Sequence, residues 1–131
     1  MRLLLDTHIW LWSLLEPARL TSRVARALRS AENQLWLSPV SIWEVILLSE
    51  RGRLVLPAGP EAWISEALER RPLNEAPVTM DVARELGRIA LPYRDPADRL
   101  LAATARVFQL TLITADQRLM QAPQVAFLGN H

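Results

Sequence analysis

"MRLLLDTHIWLW" (residues 1–12) opens the chain. Three leucines, Leu3 to Leu5, run straight into Asp6, and Trp10 and Trp12 follow. A short apolar run bounded by charge reads as a strand covered on both faces. Its last position then presents a carboxylate at the strand's tip. A strand covered on both faces needs a layer on either side, so the rest of the chain should supply helices. "QLWLS" (34–38) and "LTLIT" (110–114) look alike and read as further strands. "LNEAPVT" (73–79) holds a shorter one broken by Pro77, and "VAFL" (125–128) is the last.

Helical patterns fill the intervals. They cover 7–15, stopped near Pro17, and 21–30, with Thr21 or Ser22 as cap. The next runs over 39–52, with Ser38 capping, Pro39 in the first turn and Gly52 at the end. An extended link (54–60) leads to helices at 61–71, stopped by Pro72, and 81–90, capped by Asp81. The strongest pattern is 95–109, and a short helix follows at 116–121. Strands alternating with helices predict a parallel α/β sheet with helices on both faces. Residues 1–131 read as one domain, long enough for a real core, without repeats or low-complexity segments.

Composition narrows the chemistry. Half of the residues are hydrophobic, which argues against disorder. Cysteine is absent, which excludes disulfides, thiol nucleophiles and thiolate metal sites. All 15 basic residues are arginine. Without lysine there is no phosphate-binding loop of the usual type, no Schiff-base enzyme and no receiver domain. Arginines suit phosphates through bidentate hydrogen bonds, although a GC-rich genome also favours them. The net charge of +1 gives no strong overall pull on nucleic acid. No signal peptide or membrane span is evident, so a cytoplasmic, membrane-free protein is expected.

Of five aspartates, Asp6 and Asp116 follow strands, while Asp95 and Asp98 open the best helix. Asp81 opens a helix that need not follow a strand. Glu44 lies early in the helix after "QLWLS", among apolar neighbours. Each acid has a plain explanation. Aspartates at helix starts commonly cap. Asp95-Pro96-Ala97-Asp98 is a near-ideal helix start, and Ser41-x-x-Glu44 matches a capping box if the helix begins at Ser41. Together they suggest more. In a parallel sheet the carboxyl ends of the strands share one edge, where sites form. Carboxylates gathered there repel one another and raise each other's pKa. With no lysine and two histidines, a hard divalent cation, Mg²⁺ or Mn²⁺, is the natural compensating charge.

The segments "LLLDTHIWLW", "SPVSIWEV", "RDPADRLLAATA" and "LITAD" resemble, in order, the four signatures of PIN-domain nucleases. They cover the chain from Leu3 to Asp116, and within the family it resembles compact VapC-type toxins. The resemblance implies a PIN-like three-layer α/β/α domain with a short, mainly parallel twisted sheet. It implies that Asp6, Glu44, Asp98 and Asp116 form the acidic, metal-holding catalytic site. Thr7, Asp95, Arg99 and Thr114 belong to the same motifs and would support it. It further implies RNA as substrate, products with 5′-phosphate and 3′-hydroxyl ends, a VapB-like antitoxin partner and a homodimer. The chain departs from the common motif at Ala97, and at Tyr93 or Arg94, all outside the acidic set.

Competing functions are the same chemistry on DNA or flaps, a non-catalytic scaffold, and a small-substrate hydrolase. Loss of an acid would mark the scaffold, and all four are present. His8 reads as packing or a helix-start polar group, and His131 as a disordered end. The tryptophans read mostly as core, with the apolar helices at 7–15 and 43–48 as candidates for partner surfaces. Arg70-Arg71 reads as a solvated helix end.

Overall fold

A computed structural model describes residues 1–131. The leucine run becomes β1 (Arg2–Leu5), the middle strand of a five-stranded sheet. The others are β2 (Gln34–Leu37), β3 (Asn74–Glu75), β4 (Thr111–Thr114) and β5 (Ala126–Gly129). Their spatial order is β3-β2-β1-β4-β5, and every neighbouring pair is parallel. Leu3 lies opposite Leu35 on one side and Thr111 on the other. Leu3, Leu4 and Leu5 are completely buried.

Alternation along the strand assigns each leucine to a layer. Leu3 and Leu5 pack with Ile9 and Trp10 of α1 (Thr7–Leu15), Val24 of α2 (Ser22–Arg29), Val45 of α3 (Pro39–Glu50) and Ile64 of α4 (Pro60–Arg70). Leu4 faces the opposite layer. There it packs with Leu112, with Val82 of α5 (Met80–Glu85) and with Leu101 and Ala102 of α6 (Pro96–Phe108). The result is the expected three-layer α/β/α arrangement. The alanines of α6 at 97, 102, 103 and 105 are buried, which lets that helix lie close to the sheet.

Caps set the helix boundaries. Thr21, Ser38, Thr79 and Asp95 each accept a hydrogen bond from a first-turn N–H with their side chains. The start at Ser38–Pro39 removes the capping-box reading of Glu44, which lies inside α3. Asp81 is not the cap of α5: Thr79 accepts from Val82, and Asp81 sits in the first turn. The predicted helix at 116–121 reduces to a 3-10 turn over Leu119–Gln121, because Asp116 folds back onto the Arg118 N–H. His131 is not a loose end, since its Nε2 lies 3.1 Å from the Ala115 carbonyl. Of the tryptophans, Trp10 is core, whereas Trp43 is 55 % exposed. Arg71 is partly buried rather than solvated, with Nη1 inside the protein. No helix is long and apolar enough to cross a membrane.

Leu4 is the central strand's contribution to the α5–α6 layer. Leu4→Ala should therefore lower unfolding free energy by about 2–5 kcal/mol in urea titrations. Met80→Ala, at an exposed site, should change it by less than about 0.5 kcal/mol.

Candidate active site

The strand order decides where a site can form. The chain runs from β1 outward through β2 to β3, then crosses back to β4 on the other side of β1. The direction of winding reverses between β1 and β4, and a crevice opens at their carboxyl ends. Asp6 is the residue after β1, and Asp116 lies two residues beyond β4. Between α1, α3 and the start of α6 the crevice widens into a cleft of about 400 Å³. Asp6, Glu44, Asp95, Asp98 and Asp116 all line it, together with His8, Trp12 and Arg118. Acids from four sequence segments thus meet at one sheet edge.

Asp6 occupies the cap position of α1 but makes no side-chain capping bond. Its carboxylate turns towards β4 instead, where the buried Thr114 hydroxyl donates to Oδ2 at 2.6 Å. Its backbone N–H continues the β1–β4 ladder by donating to the Ile113 carbonyl. Thr7 does the same service for α3. Its hydroxyl lies 2.5 Å from Glu44 Oε1 and 2.8 Å from Ser41 Oγ. Thr7 directly follows Asp6 and Thr114 lies two residues before Asp116, yet each bonds an acid from another segment. Asp95 caps α6 by accepting from the N–H groups of Ala97 and Asp98. Its carboxylate therefore serves the helix first, while Asp98 in the first turn points its own at Tyr93.

Arg99 is placed elsewhere. Its guanidinium donates to the Leu86 carbonyl at 2.7 Å, tying α6 to the 3-10 turn after α5. It lines a neighbouring cleft, not the acidic one. Its support of the site is limited to holding α6 in place.

Two residues outside the expected set enter the site. The Tyr93 hydroxyl donates to Asp98 Oδ2 at 2.7 Å. The Arg118 guanidinium lies 4.3 Å from the Tyr93 ring centre and pairs with Asp116 at 3.2 Å. Tyr93 was visible only as a departure from the motif, and Arg118 carried no signal beyond its nearness to Asp116. Ser41 was visible only as one end of a capping box that does not form.

The electrostatics follow from crowding. Burial raises the Asp6 carboxyl above its ordinary range, against the opposing Thr114 bond. Burial also raises Glu44, with the nearby Asp6 charge adding to it. Asp98 is pushed to about 7, chiefly by burial, against the Tyr93 hydrogen bond and with the charges of Asp95, Asp6 and Asp116 adding to the rise. At Asp116 burial acts upward, but the hydrogen bonds and charge of Arg118 prevail and hold it low. The Tyr93 phenol is pushed well above its usual range by burial and Asp98, so it remains a donor.

The chain's similarity to known proteins agrees with this geometry. A PIN-domain model matches residues 3–125. The chain belongs to the PIN-domain family. It is 34 % identical over 119 residues to Ribonuclease VapC22 of Mycobacterium tuberculosis, covering 88 % of each chain. FitAcB from Neisseria gonorrhoeae is 25 % identical, with a TM-score of 0.66 over 98 % of this chain and 97 % of that one. VapBC2 from Rickettsia felis, bound to a DNA fragment from its promoter, shares the fold, with a TM-score of 0.77 at 15 % identity. That match covers 98 % of both chains. Within this PIN domain, the four motif acids line one cleft together with Asp95.

The raised acids make a forecast for stability. Asp98, Asp6 and Glu44 bind protons more readily folded than unfolded. Their contribution to folding is complete at acid pH, where both states are protonated, and is lost as pH rises, for Asp98 between the ordinary Asp value of 3.8 and about 7. In EDTA the melting temperature should therefore fall across that interval, and Asp98→Asn should fall less steeply. Parallel melting curves for parent and variant across the same pH series would contradict the raised value at Asp98.

Proposed function

We propose that this protein is a Mg²⁺- or Mn²⁺-dependent endoribonuclease, acting as the toxin of a type II toxin–antitoxin pair. The carrying observation is the convergence of Asp6, Glu44, Asp98 and Asp116 in one cleft at the sheet's switch point. Its sequence likeness to a ribonuclease supports RNA as the substrate.

The donor set suits a hard cation. All candidate ligands are carboxylate oxygens, and three of the four acids have raised pKa values, chiefly through burial and in part through their neighbours' charges. No three His, Asp or Glu side chains form a ready-made cage. Mg²⁺ keeps several waters and is commonly bound through one or two carboxylates. Asp6, Glu44, Asp98 and Asp116 would hold it. The chemistry such an ion supplies when bound is activation of water and neutralisation of charge on the leaving oxygen.

The chain's own residues do the positioning. Thr114 and Thr7 fix the rotamers of Asp6 and Glu44 by donating to one oxygen of each. Tyr93 does likewise for Asp98. Asp95 orients the first turn of α6, so that Asp98 faces the cleft. Hydrolysis needs no side-chain nucleophile in this arrangement, and the products should carry 5′-phosphate and 3′-hydroxyl ends.

The proposal extends to partners. Solved relatives include toxin–antitoxin complexes, which supports a VapB-like antitoxin here, alongside a homodimer and a cytoplasmic setting. Exposed Trp43 and Leu68 on α3 and α4 are candidates for these contacts. Leu68 and Ile42 line an apolar groove at the ends of β2 and β3.

Cleavage of a total RNA pool with mapping of the cut ends tests the activity. Asp98→Asn should reduce cleavage by more than about 100-fold while the protein stays folded. Thr114→Val, which removes only the hydroxyl that holds Asp6, should cost about 10- to 100-fold. Cutting that persists in excess EDTA and leaves 2′,3′-cyclic ends would replace this mechanism with one through His8.

Thermal melts test the ion directly. Mg²⁺ should raise the parent's melting temperature, because a ligand specific to the folded state stabilises it. Asp6→Asn should melt at or above the parent without Mg²⁺, since it relieves repulsion, and should lose most of the Mg²⁺ response. An equal response in both proteins would remove Asp6 from the ligand set.

A further inference from the structure

The acidic cleft poses a problem for its own substrate. A nucleic-acid backbone must approach five carboxylates, and the chain's net charge of +1 offers little general attraction. A local cation at the mouth has to do that work. Arg118 is the only arginine that lines the cleft.

Its surroundings hold it ready. Nε and Nη2 face the two oxygens of Asp116 at 3.4 and 3.2 Å. The guanidinium carbon lies over the Tyr93 ring, 4.3 Å from its centre. Tyr93 is in turn fixed by its bond to Asp98. Two motif acids therefore orient one cation, Asp116 directly and Asp98 through the phenol. The Asp116 carboxylate also accepts from the Arg118 backbone N–H at 2.9 Å, which orders the segment carrying the side chain. A guanidinium has five N–H donors, and Nη1 makes no hydrogen bond within the protein. The side chain is 64 % exposed, so these free donors face solvent at the cleft mouth. An exposed ion pair of this kind contributes little to stability. Its orientation matters more for binding, because a guanidinium held in place takes a phosphate with little further loss of freedom.

We propose that Arg118 is a substrate-contacting residue: seated on Tyr93, it holds a backbone phosphate of the RNA beside the acidic site. Asp116 keeps one edge of the guanidinium, and the phosphate takes the other. Tyr93 acts as a positioning residue through Arg118. The inference rests on the nuclease reading above and names the group that admits the polyanion.

Binding of a fluorescent short oligouridylate, followed by anisotropy in Ca²⁺ over a series of salt concentrations, tests it. The same titrations are run with the matching oligodeoxyuridylate. Arg118→Gln should weaken binding about tenfold, by loss of charged hydrogen bonds. It should also flatten the plot of log affinity against log salt by about 0.7, the share of one phosphate contact on a single strand. Arg118→Lys should keep the parent's salt slope with reduced affinity, because it keeps charge and loses the fork and the stacking. Tyr93→Leu should weaken binding at an unchanged slope. Melting temperatures report folding in each case, and the exposed Arg118 variants should match the parent. Parent-like affinity and slope in folded Arg118→Gln would overturn the proposal, leaving Arg118 as a counter-ion of Asp116 alone. A parent that binds only the deoxy strand would overturn the RNA reading, and the slope difference measured on that strand would still support the phosphate contact. A parent that binds neither would overturn both.

Discussion

The hydrogen bond from Thr114 to Asp6 is the constraint on which the site depends. A carboxylate that is only 9 % exposed, at the end of the central strand, is costly unless it is satisfied. Thr114 satisfies it from the neighbouring strand at 2.6 Å. The same two strands are joined through the Asp6 N–H and the Ile113 carbonyl. Strand register and site geometry are therefore one requirement. A slip of one residue between β1 and β4 would turn Thr114 to the opposite face and leave Asp6 buried without its donor. The leucines on either side enforce the register, since the same slip would exchange the two core layers.

Around that bond the protein distributes charge unevenly. Asp6, Glu44 and Asp98 have raised pKa values, chiefly through burial. Each nevertheless receives a hydroxyl donor, from Thr114, Thr7 and Tyr93. Hydroxyls hold a carboxylate in place without neutralising it. Asp116 differs, because Arg118 neutralises it at the rim. The interior of the cleft thus keeps a net demand for positive charge, and the rim has a cation already in place. A fold built only for stability would place an apolar side chain or an internal arginine there.

Much of this was legible in the sequence because it follows from periodicity and caps. The run Leu3–Leu5 marks a doubly covered strand, and Asp95-Pro96 marks the start of α6. Both depend on local chemistry that a single segment carries. The order of motifs also singled out Asp6, Glu44, Asp98 and Asp116, which line one cleft. What the sequence did not disclose depends on which segments become neighbours. Asp6 looked as suitable for a cap as Asp95, and only the position of β4 separates them. Arg99 belonged to the motif but turns to the Leu86 carbonyl, which also accepts from the Ile89 N–H. Tyr93 and Arg118 are 25 residues apart, and only the folded chain brings the guanidinium over the ring. Trp43 follows the apolar pattern of α3, yet it lies on the face that no other layer covers.

The strand order also sets a timetable for synthesis. Asp6 is made at once, but its donor is 108 residues later in the chain, across the return from β3 to β4. β1, β2 and β3 can come together while the ribosome is still at work, since domains assemble as their segments emerge. The cleft cannot close until β4 and Asp116 have left the ribosome. Incomplete chains would carry one wall of the cleft and lack the other. In a chain made in this order, Asp6 and Glu44 wait without Asp98 and Asp116 until the second half of the sheet has formed.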